Sequence, residues 1–160
     1  MDRKWDVRFL ELANHISSWS RDPSTKIGAV IVDDNRIVRG MGYNGFPRGV
    51  NDDPERYANR DTKLKFMVHA ERNAIDNSEG SLEGCTIYVY PSLMNPVCCH
   101  DCAKSIIQNG IKRVVGFKAT TTDRWKDSAD TAKIMLLEAG VEISMIDYIT
   151  DPFEKYLASK

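Results

Sequence analysis

The sequence predicts an α/β fold of three layers, in which a mixed five-stranded sheet lies between helices on both faces. Three observations support this class. An amphipathic helix pattern opens the chain, two apolar strand patterns joined by a short turn follow it, and strand and helix patterns then alternate. Alternation of this kind is typical of a sheet covered on both faces, with parallel strands in its second half.

The first predicted elements are a helix and a β-hairpin. Apolar residues at spacings of three and four predict one amphipathic helix from about residue 3 to about residue 19. Two apolar stretches, "IGAVIVDD" and "RIVRGMGYN", flank a turn at Asp34-Asn35. Strands separated by so short a polar turn predict an antiparallel pair.

A long charged segment follows the hairpin. Between about residues 45 and 67 the sequence is rich in charged residues and poor in β-branched ones, which predicts a long loop. A loop of this length in a compact domain is usually functional or mobile. We therefore expect either a solvated loop or a segment that binds a ligand.

The second half of the chain alternates between helices and strands. A helix begins near His69, and the buried strand "CTIYVY" follows it. Next come a helix from near Cys99 to Asn109-Gly110, the strand "IKRVVGF", a helix that ends at Gly140, and the strand "VEISMI". Glycine after the last helical residue is a common helix end. No repeat or linker divides the chain, so residues 1–160 are predicted to form a single domain.

Composition and charge exclude several classes of function. Hydrophobic residues make up 42% of the chain and charged residues 28%, and the formal net charge is -1. A near-neutral chain lacks the positive field that binding long nucleic acid requires. No apolar run could span a bilayer, and the N-terminus has no signal-peptide pattern. We therefore expect a cytoplasmic protein without nucleic-acid or membrane partners, whose four cysteines are thiols or metal ligands.

Two short motifs predict a metal centre. In "MVHAERNAID", His69 and Glu71 are two residues apart at the start of a helix. In "NPVCCHDCAKSIIQNG", Cys99 and Cys102 begin another helix, and residues three apart on a helix face nearly the same way. Helix N-termini stabilise the thiolate form that binds metals. One imidazole and two thiolates suit Zn²⁺ with a fourth position open for water, so we predict that His69, Cys99 and Cys102 bind Zn²⁺.

Glu71 is predicted to carry protons and not to bind the metal. Zn²⁺ with two thiolates and a neutral imidazole has no net charge, so water there is only moderately acidified and needs a nearby base. In the middle of a helix, residues two apart point to nearly opposite sides. His69 and Glu71 can therefore serve one centre only at a helix tip, which we expect to face the first turn of the Cys99 helix.

These motifs resemble those of the deoxycytidylate (dCMP) deaminases. His-x-Glu with Pro-Cys-x-x-Cys is the signature of zinc-dependent nucleobase deaminases. The stretches "DPSTKIGAVIV", "GMGYNGFPRG", "DTKLKFMVHAERNAI" and "CAKSIIQNGIKRVVG" are similar to the dCMP branch, and the resemblance extends from about residue 21 to about residue 147. It implies a cytidine-deaminase-like α/β sandwich that hydrolyses dCMP to dUMP and ammonia with Zn²⁺, and in which Glu71 is the catalytic proton carrier.

The sequence departs from the family pattern at the first cysteine. The family usually has proline directly before this ligand, whereas here Pro96 and Val97 precede the pair Cys98 and Cys99. Either cysteine could be the ligand. We favour Cys99 because two residues between it and Cys102 place both side chains on one helix turn.

The resemblance also suggests substrate-binding residues. Asn44 is either a turn residue or an amide that hydrogen-bonds the pyrimidine or the sugar. Ser24 and Lys26 lie on a loop that is either solvated or binds phosphate. Trp125 is either a core residue or a wall of the substrate pocket. We take all four as candidates for substrate binding.

The charged insert is the candidate regulatory segment. The resemblance implies a hexamer that is activated by dCTP and inhibited by dTTP, with Mg²⁺ between the triphosphate and the protein. The candidate residues for binding the regulatory nucleotide are Asn44, Gly45, Arg48 and Lys63. The alternative for this segment is a solvated loop.

Two other functions fit parts of the pattern. A deaminase of a polynucleotide on the same fold would need a surface that follows phosphates, and the near-neutral charge disfavours one. A non-catalytic zinc module usually has four protein ligands. Only three stand out here, and Glu71 would then have no role.

Overall fold

A mixed five-stranded sheet forms the centre of the computed structural model, which describes residues 2–95 and 98–147. The strands are β1 Gly28–Val32, β2 Val38–Tyr43, β3 Thr86–Tyr90, β4 Arg113–Phe117 and β5 Glu142–Ile146. They lie in the order β2-β1-β3-β4-β5. β1 is antiparallel to β2 and to β3, whereas β3, β4 and β5 are parallel. The predicted hairpin and the predicted parallel second half are both confirmed.

The helices agree with the sequence pattern except in the charged insert. They are α1 Arg3–Ser17, α2 Pro54–Ala58, α3 Arg60–Phe66, α4 Ala70–Asp76, α5 His100–Gln108 and α6 Asp123–Glu138. The expected long loop therefore contains two short helices, α2 and α3. Their start signals are local: the Asp53 side chain accepts the amide of Glu55, and the Asn59 side chain accepts the amide of Thr62. Both residue types are strong helix N-caps.

The sheet separates two hydrophobic layers. Val30, Val32 and Tyr88 point to one face, where they pack against Phe9, Leu10, Ala13 and Ile16 of α1. Alternate residues of the same strands, such as Ile31 and Ile87, point to the other face and pack with α4, α5 and α6. Period-two alternation along each strand thus produces the predicted three layers. No helix within residues 2–95 and 98–147 is long and apolar enough to cross a membrane.

One residue of the predicted first helix lies outside the core. Trp19 was expected on the apolar face of α1, but the helix ends at Ser17 and the Trp19 side chain is 49% exposed. Its ring meets the edges of His15 and Tyr43 instead. Helical spacing alone could not show that the helix stops two residues before Trp19.

Glycines on β2 allow α4 to lie directly on the sheet. A Cβ at Gly42 would overlap the backbone nitrogen of Ala74 and would lie 2.6 Å from the carbonyl carbon of Asn73. The side-chain amides of Asn73 and Asn77 donate to the carbonyls of Tyr43 and Met41, at 2.8 and 3.1 Å. The position of α4, and of the residues at its N-terminus, is therefore fixed by backbone contact with β2.

We predict that Gly42→Ala destabilises the protein because neither backbone can move without disturbing the sheet. Overpacking of this kind costs up to about 3 kcal/mol. That corresponds to a fall in Tm of roughly 6–12 °C for a chain of this size. Thermal unfolding at fixed protein concentration measures it. Gly45→Ala is the matched control, because a Cβ there has its nearest neighbour, the Tyr43 ring, at 3.8 Å. Equal Tm values for the two variants would contradict the close packing.

Candidate active site

The N-termini of α4 and α5 meet at one group of three side chains. His69 is the N-cap of α4, Cys99 is the N-cap of α5, and Cys102 lies on the first turn of α5. The Nδ1 atom of His69 is 3.4 Å from the Sγ atoms of both Cys99 and Cys102. Neither N-cap side chain makes a capping hydrogen bond, so both face the centre between the helices.

The spacing of these atoms fits a tetrahedral Zn²⁺ site. Zn–N bonds of about 2.0–2.1 Å and Zn–S bonds of about 2.3 Å place nitrogen and sulfur roughly 3.6 Å apart in a tetrahedron. The ligand atoms of His69, Cys99 and Cys102 all lie within 4.8 Å of one another. In the part of the chain that the structure describes, this is the one such group of histidine, cysteine and carboxylate side chains.

The electrostatics of the group favour a thiolate. The hydrogen bond from Cys102, against the effect of burial, lowers the pKa of Cys99 to about 4. The hydrogen bond with Cys99 raises the pKa of His69 to about 9, and donation to the same sulfur raises the pKa of Cys102. Cys99 is therefore ionised at neutral pH, whereas a metal at this site must displace protons from His69 and Cys102.

Glu71 lies on the first turn of α4, directly beside the group. Its side chain is almost fully buried, and burial raises the pKa of its carboxyl, while the positive charge of His69 opposes the shift. A buried carboxyl with a raised pKa holds a proton more readily than an exposed one, which suits it to proton transfer. The N-terminus of α4 thus places the imidazole of His69 and the carboxyl of Glu71 beside the two cysteines, as the two-residue spacing predicted.

Cys98 does not belong to this group of ligand atoms. Its side chain is fully buried, and burial raises the pKa of its thiol well above the usual value. The structure therefore brings Cys99, and not Cys98, to His69. Pro96 and Val97, which separate this motif from the family pattern, lie outside the described residues.

A cavity of about 720 Å³ opens over His69, Glu71 and Cys99. Trp125 lines it from the start of α6 and also packs against the core, so the two roles considered for this residue coincide. The Arg124 guanidinium lies 5.3 Å from the centre of the Trp125 ring and lines the same cavity.

The other substrate candidates differ in their positions. Ser24 and Asn44 line the cavity. Lys26 is exposed and does not line it, although its neighbours Thr25 and Ile27 do. A role for Lys26 in substrate binding therefore stays a prediction.

The Asn44 amide connects two loops. Its Oδ1 accepts the amide of Ile27 at 2.7 Å, and its Nδ2 donates to the carbonyl of Thr25 at 2.8 Å. The Sδ atom of Met67 lies 3.8 Å from the same Nδ2. Most of the hydrogen-bonding capacity of Asn44 is therefore used to hold the loop before β1, whichever contact it makes with a ligand.

The candidate regulatory residues make contacts with different parts of the chain. Lys63 lines the cavity, where its Nζ lies 3.1 Å from Oδ1 of Asp22 and 2.6 Å from Oγ of Ser24. Arg48 is exposed, lies outside that cavity and hydrogen-bonds the side chain of Asn77 at the end of α4. Gly45 forms an isolated bridge with Val68, one residue before His69. Arg48 and Lys63 thus have different partners, and a shared phosphate site between them stays a prediction.

Several lining residues were not singled out from the sequence, among them Asp22, Tyr57 and Arg60. Asp22 belongs to the quoted "DPSTK" stretch, where aspartate before proline reads as ordinary turn chemistry. Tyr57 and Arg60 lie on the short helices of the insert. The Tyr57 ring stacks on Phe46 at 4.2 Å, a long-range contact that no local pattern predicts.

Comparisons with known proteins agree with this geometry. The family model described as the cytidine and deoxycytidylate deaminase zinc-binding region matches residues 3–118. A protein of Aliivibrio fischeri named as an uncharacterized deaminase in the luxG 3′ region is 40% identical over 150 residues, which cover 91% of this chain and 96% of that protein. The deoxycytidylate deaminase of Mus musculus is 38% identical over 148 residues, covering 86% of this chain and 77% of its own length.

A solved structure shares the architecture. The dCMP deaminase of the cyanophage S-TIM5, crystallised with dCMP and dUMP, aligns with a TM-score of 0.68 and 26% identity over 91% of this chain and 99% of its own. The mixed sheet described above is therefore the cytidine-deaminase-like fold that the motifs implied. From the family match and the identity to these relatives, the chain belongs to the cytidine and deoxycytidylate deaminase family.

Proposed function

We propose that this protein hydrolyses dCMP to dUMP and ammonia. The observation that carries the proposal is the convergence of His69, Cys99, Cys102 and Glu71 at the base of one cavity. The relatives named deoxycytidylate deaminase, and the similar phage enzyme crystallised with dCMP and dUMP, support this choice of substrate.

We also propose that His69, Cys99 and Cys102 hold Zn²⁺. The atomic spacing and the thiolate at Cys99 support this metal, and the family is defined by a zinc-binding region. When bound, Zn²⁺ supplies Lewis-acid activation of water. Three protein ligands leave one position open, which is the arrangement of catalytic sites and not of closed structural ones.

Glu71 carries both protons of the reaction in this mechanism. Oxygen from water forms a bond to C4 of the pyrimidine, and the bond from C4 to the amino nitrogen breaks. One water proton goes to ring N3 and the second to the departing amino group, which leaves as ammonia. Glu71 is suited to accept and deliver each proton because burial raises its pKa and keeps bulk water away.

The cavity also has the groups that a nucleotide needs. Trp125 offers a flat apolar wall for the base or the sugar, and Arg60 and Arg124 line the cavity with positive charge. An arginine can bind a phosphate through two parallel hydrogen bonds. Ser24 and Lys63 are weaker phosphate candidates, because the charge of Lys63 is paired with Asp22.

We predict that Cys102→Ser loses Zn²⁺, whereas Cys98→Ser retains it. A serine hydroxyl is a poor substitute for the sulfur of Cys102, which lies 3.4 Å from His69, whereas Cys98 is not one of the three grouped ligands. Metal analysis of the folded fraction of each variant gives zinc per chain. Full zinc in Cys102→Ser would contradict the ligand set, and an empty site in Cys98→Ser would show that the cysteine register is wrong.

We predict that Glu71→Gln retains Zn²⁺ and binds dCMP but loses nearly all turnover. The amide cannot accept a proton, and general acid–base catalysis contributes about 10²–10⁴-fold. Because two transfers depend on Glu71, the loss should lie at the upper end of this range or beyond. Steady-state release of ammonia from dCMP measures it.

The same assay separates the alternative functions. Wild-type turnover of dCMP should exceed that of deoxycytidine, dCTP and cytidine-containing oligonucleotides. Preference for an oligonucleotide would favour a polynucleotide deaminase, and turnover of none of these substrates would favour a non-catalytic zinc module. Activity of Glu71→Gln within tenfold of the wild type would remove the role assigned to Glu71.

We propose in addition that dCTP activates and dTTP inhibits the enzyme, each with Mg²⁺, by binding at Asn44, Gly45, Arg48 and the insert. Two contacts support a connection to the catalytic group. The Gly45–Val68 bridge directly precedes His69, and Arg48 bonds Asn77 at the opposite end of α4. A nucleotide that repositions either residue would act on the helix that carries Glu71.

We predict that Arg48→Ala weakens both responses and leaves the zinc content unchanged. Couplings of this kind are typically about 1–3 kcal/mol, roughly 5- to 150-fold in affinity. Steady-state kinetics with dCMP, with and without each triphosphate, measures them alongside direct binding of dTTP. Arg39→Ala is the control, since Arg39 is an exposed arginine that pairs with Asp33. If millimolar dTTP neither binds nor changes the wild-type rate, the insert has no regulatory role.

The hexamer and the cytoplasmic location remain predictions. The edge strand β2 and the end of α1 expose large apolar side chains, among them Trp19, Met41 and Tyr43 at 49%, 44% and 38%. Apolar patches beside an unpaired sheet edge commonly lie in subunit interfaces. This surface supports the assembly that the resemblance implies.

A further inference from the structure

The carboxylate of Asp22 is hydrogen-bonded through only one of its oxygens. Oδ1 accepts from the amides of Ser24 and Thr25, from the Ser24 hydroxyl and from Nζ of Lys63, at 2.8, 3.2, 2.8 and 3.1 Å. Within residues 2–95 and 98–147, Oδ2 receives no hydrogen bond. Four donors therefore converge on one oxygen, and an equally strong acceptor beside it is left unused.

The unused oxygen has access to the cavity. Asp22 is only 3% exposed and lines the cavity over the catalytic group. Oδ2 is not sealed in the protein, because Ser92 Oγ is the one side-chain oxygen or nitrogen in the described chain that is both fully buried and unpartnered. A charged oxygen that faces the cavity and has no protein donor can accept a hydrogen bond from a ligand there.

The neighbouring groups determine which ligand atom fits. The Ser24 hydroxyl donates its proton to Asp22, so it can offer a ligand only an acceptor. Lys63 has a third N–H beyond its bonds to Asp22 and Ser24, and the ammonium and the carboxylate neutralise each other. Burial alone would raise the pKa of Asp22, but the hydrogen bonds from Ser24, Lys63 and Thr25 hold it below the usual value, so the carboxylate stays charged.

A ligand hydroxyl group can form hydrogen bonds with both Asp22 and Lys63, whereas a phosphate cannot. A hydroxyl donates to Oδ2 and accepts from Lys63, whereas an anionic phosphate oxygen would be repelled by Asp22. In dCMP, the amino group at C4 must lie at Glu71 for the reaction to occur. The remaining neutral donor is the 3′-hydroxyl of the deoxyribose.

We propose that Asp22, with Lys63, binds the 3′-hydroxyl of the substrate sugar. The inference rests on the proposed dCMP deaminase activity and adds a substrate-binding residue to it. It also gives the insert a direct part in the active site, since Lys63 extends from α3 across the cavity to the loop before β1.

The test compares dCMP with 2′,3′-dideoxycytidine monophosphate, which lacks only the 3′-hydroxyl. A hydrogen bond to a charged group corresponds to about 10- to 100-fold in kcat/KM, so the wild type should prefer dCMP by this factor. Asp22→Ala should turn over both substrates equally. Asp22→Asn retains an oxygen that can accept from Ser24 and Thr25. It should lower the ratio of kcat/KM for dCMP to kcat/KM for the dideoxy analogue at least about fivefold.

Asp52→Asn is the matched control. Asp52 accepts from Tyr57 and pairs with Arg21 in the same region, but it does not line the cavity, so its loss should leave the preference unchanged. Equal losses for both substrates in the Asp22 variants would overturn the proposal and leave Asp22 a loop-holding residue. If Asp22→Ala does not fold, Asp22→Asn decides alone.

The wild-type measurements distinguish a failure of the role proposed for Asp22 from a failure of the proposed dCMP deaminase activity. Turnover of dCMP without preference over the dideoxy analogue would overturn the role of Asp22 and leave the proposed function intact. No turnover of either substrate by the zinc-loaded wild type would overturn both.

Discussion

The direct contact between α4 and β2 is the constraint on which the catalytic geometry depends. A helix usually lies on a sheet through a layer of side chains, but here Gly42 brings the backbones together, and a side chain at Gly40 would also meet Ala74 and Ser78. Asn73 and Asn77 then fix the rotation of the helix through the β2 carbonyls. Because α4 is held so rigidly, its N-terminal residues reach a defined point beside α5.

The meeting of two helix N-termini explains the chemistry of the site. Each N-terminus carries partial positive charge, which favours the thiolate form of Cys99. Placing His69 and Cys99 at the N-cap positions frees their side chains from the helix surface. Glu71 can then lie beside His69 despite the two-residue spacing, since the first turn has no preceding turn to separate them.

The insert contributes a wall of the cavity and not a solvated loop. Its two short helices are held by the Phe46–Tyr57 stack and by the link from Lys63 to Asp22. The ion pair has side chains that are only 13% and 4% exposed, so it is less screened by solvent than a surface pair. The insert therefore has Lys63 in the cavity wall and Arg48 outside the cavity, in contact with the end of α4.

The sequence by itself determined the order and type of nearly every element, because apolar periodicity, glycine helix ends and a short polar turn are local signals. It also predicted which residue types meet at the two helix starts, since their spacing has chemical meaning only there. The tertiary structure decided what depends on distant contacts: that Cys99, and not Cys98, joins His69 and Cys102, that Lys63 lines the cavity, and that Lys63 pairs with Asp22, 41 residues away. Charged residues occur throughout the insert, and only the folded chain determines which of them face the cavity, because the direction of a side chain depends on packing between elements and not on composition.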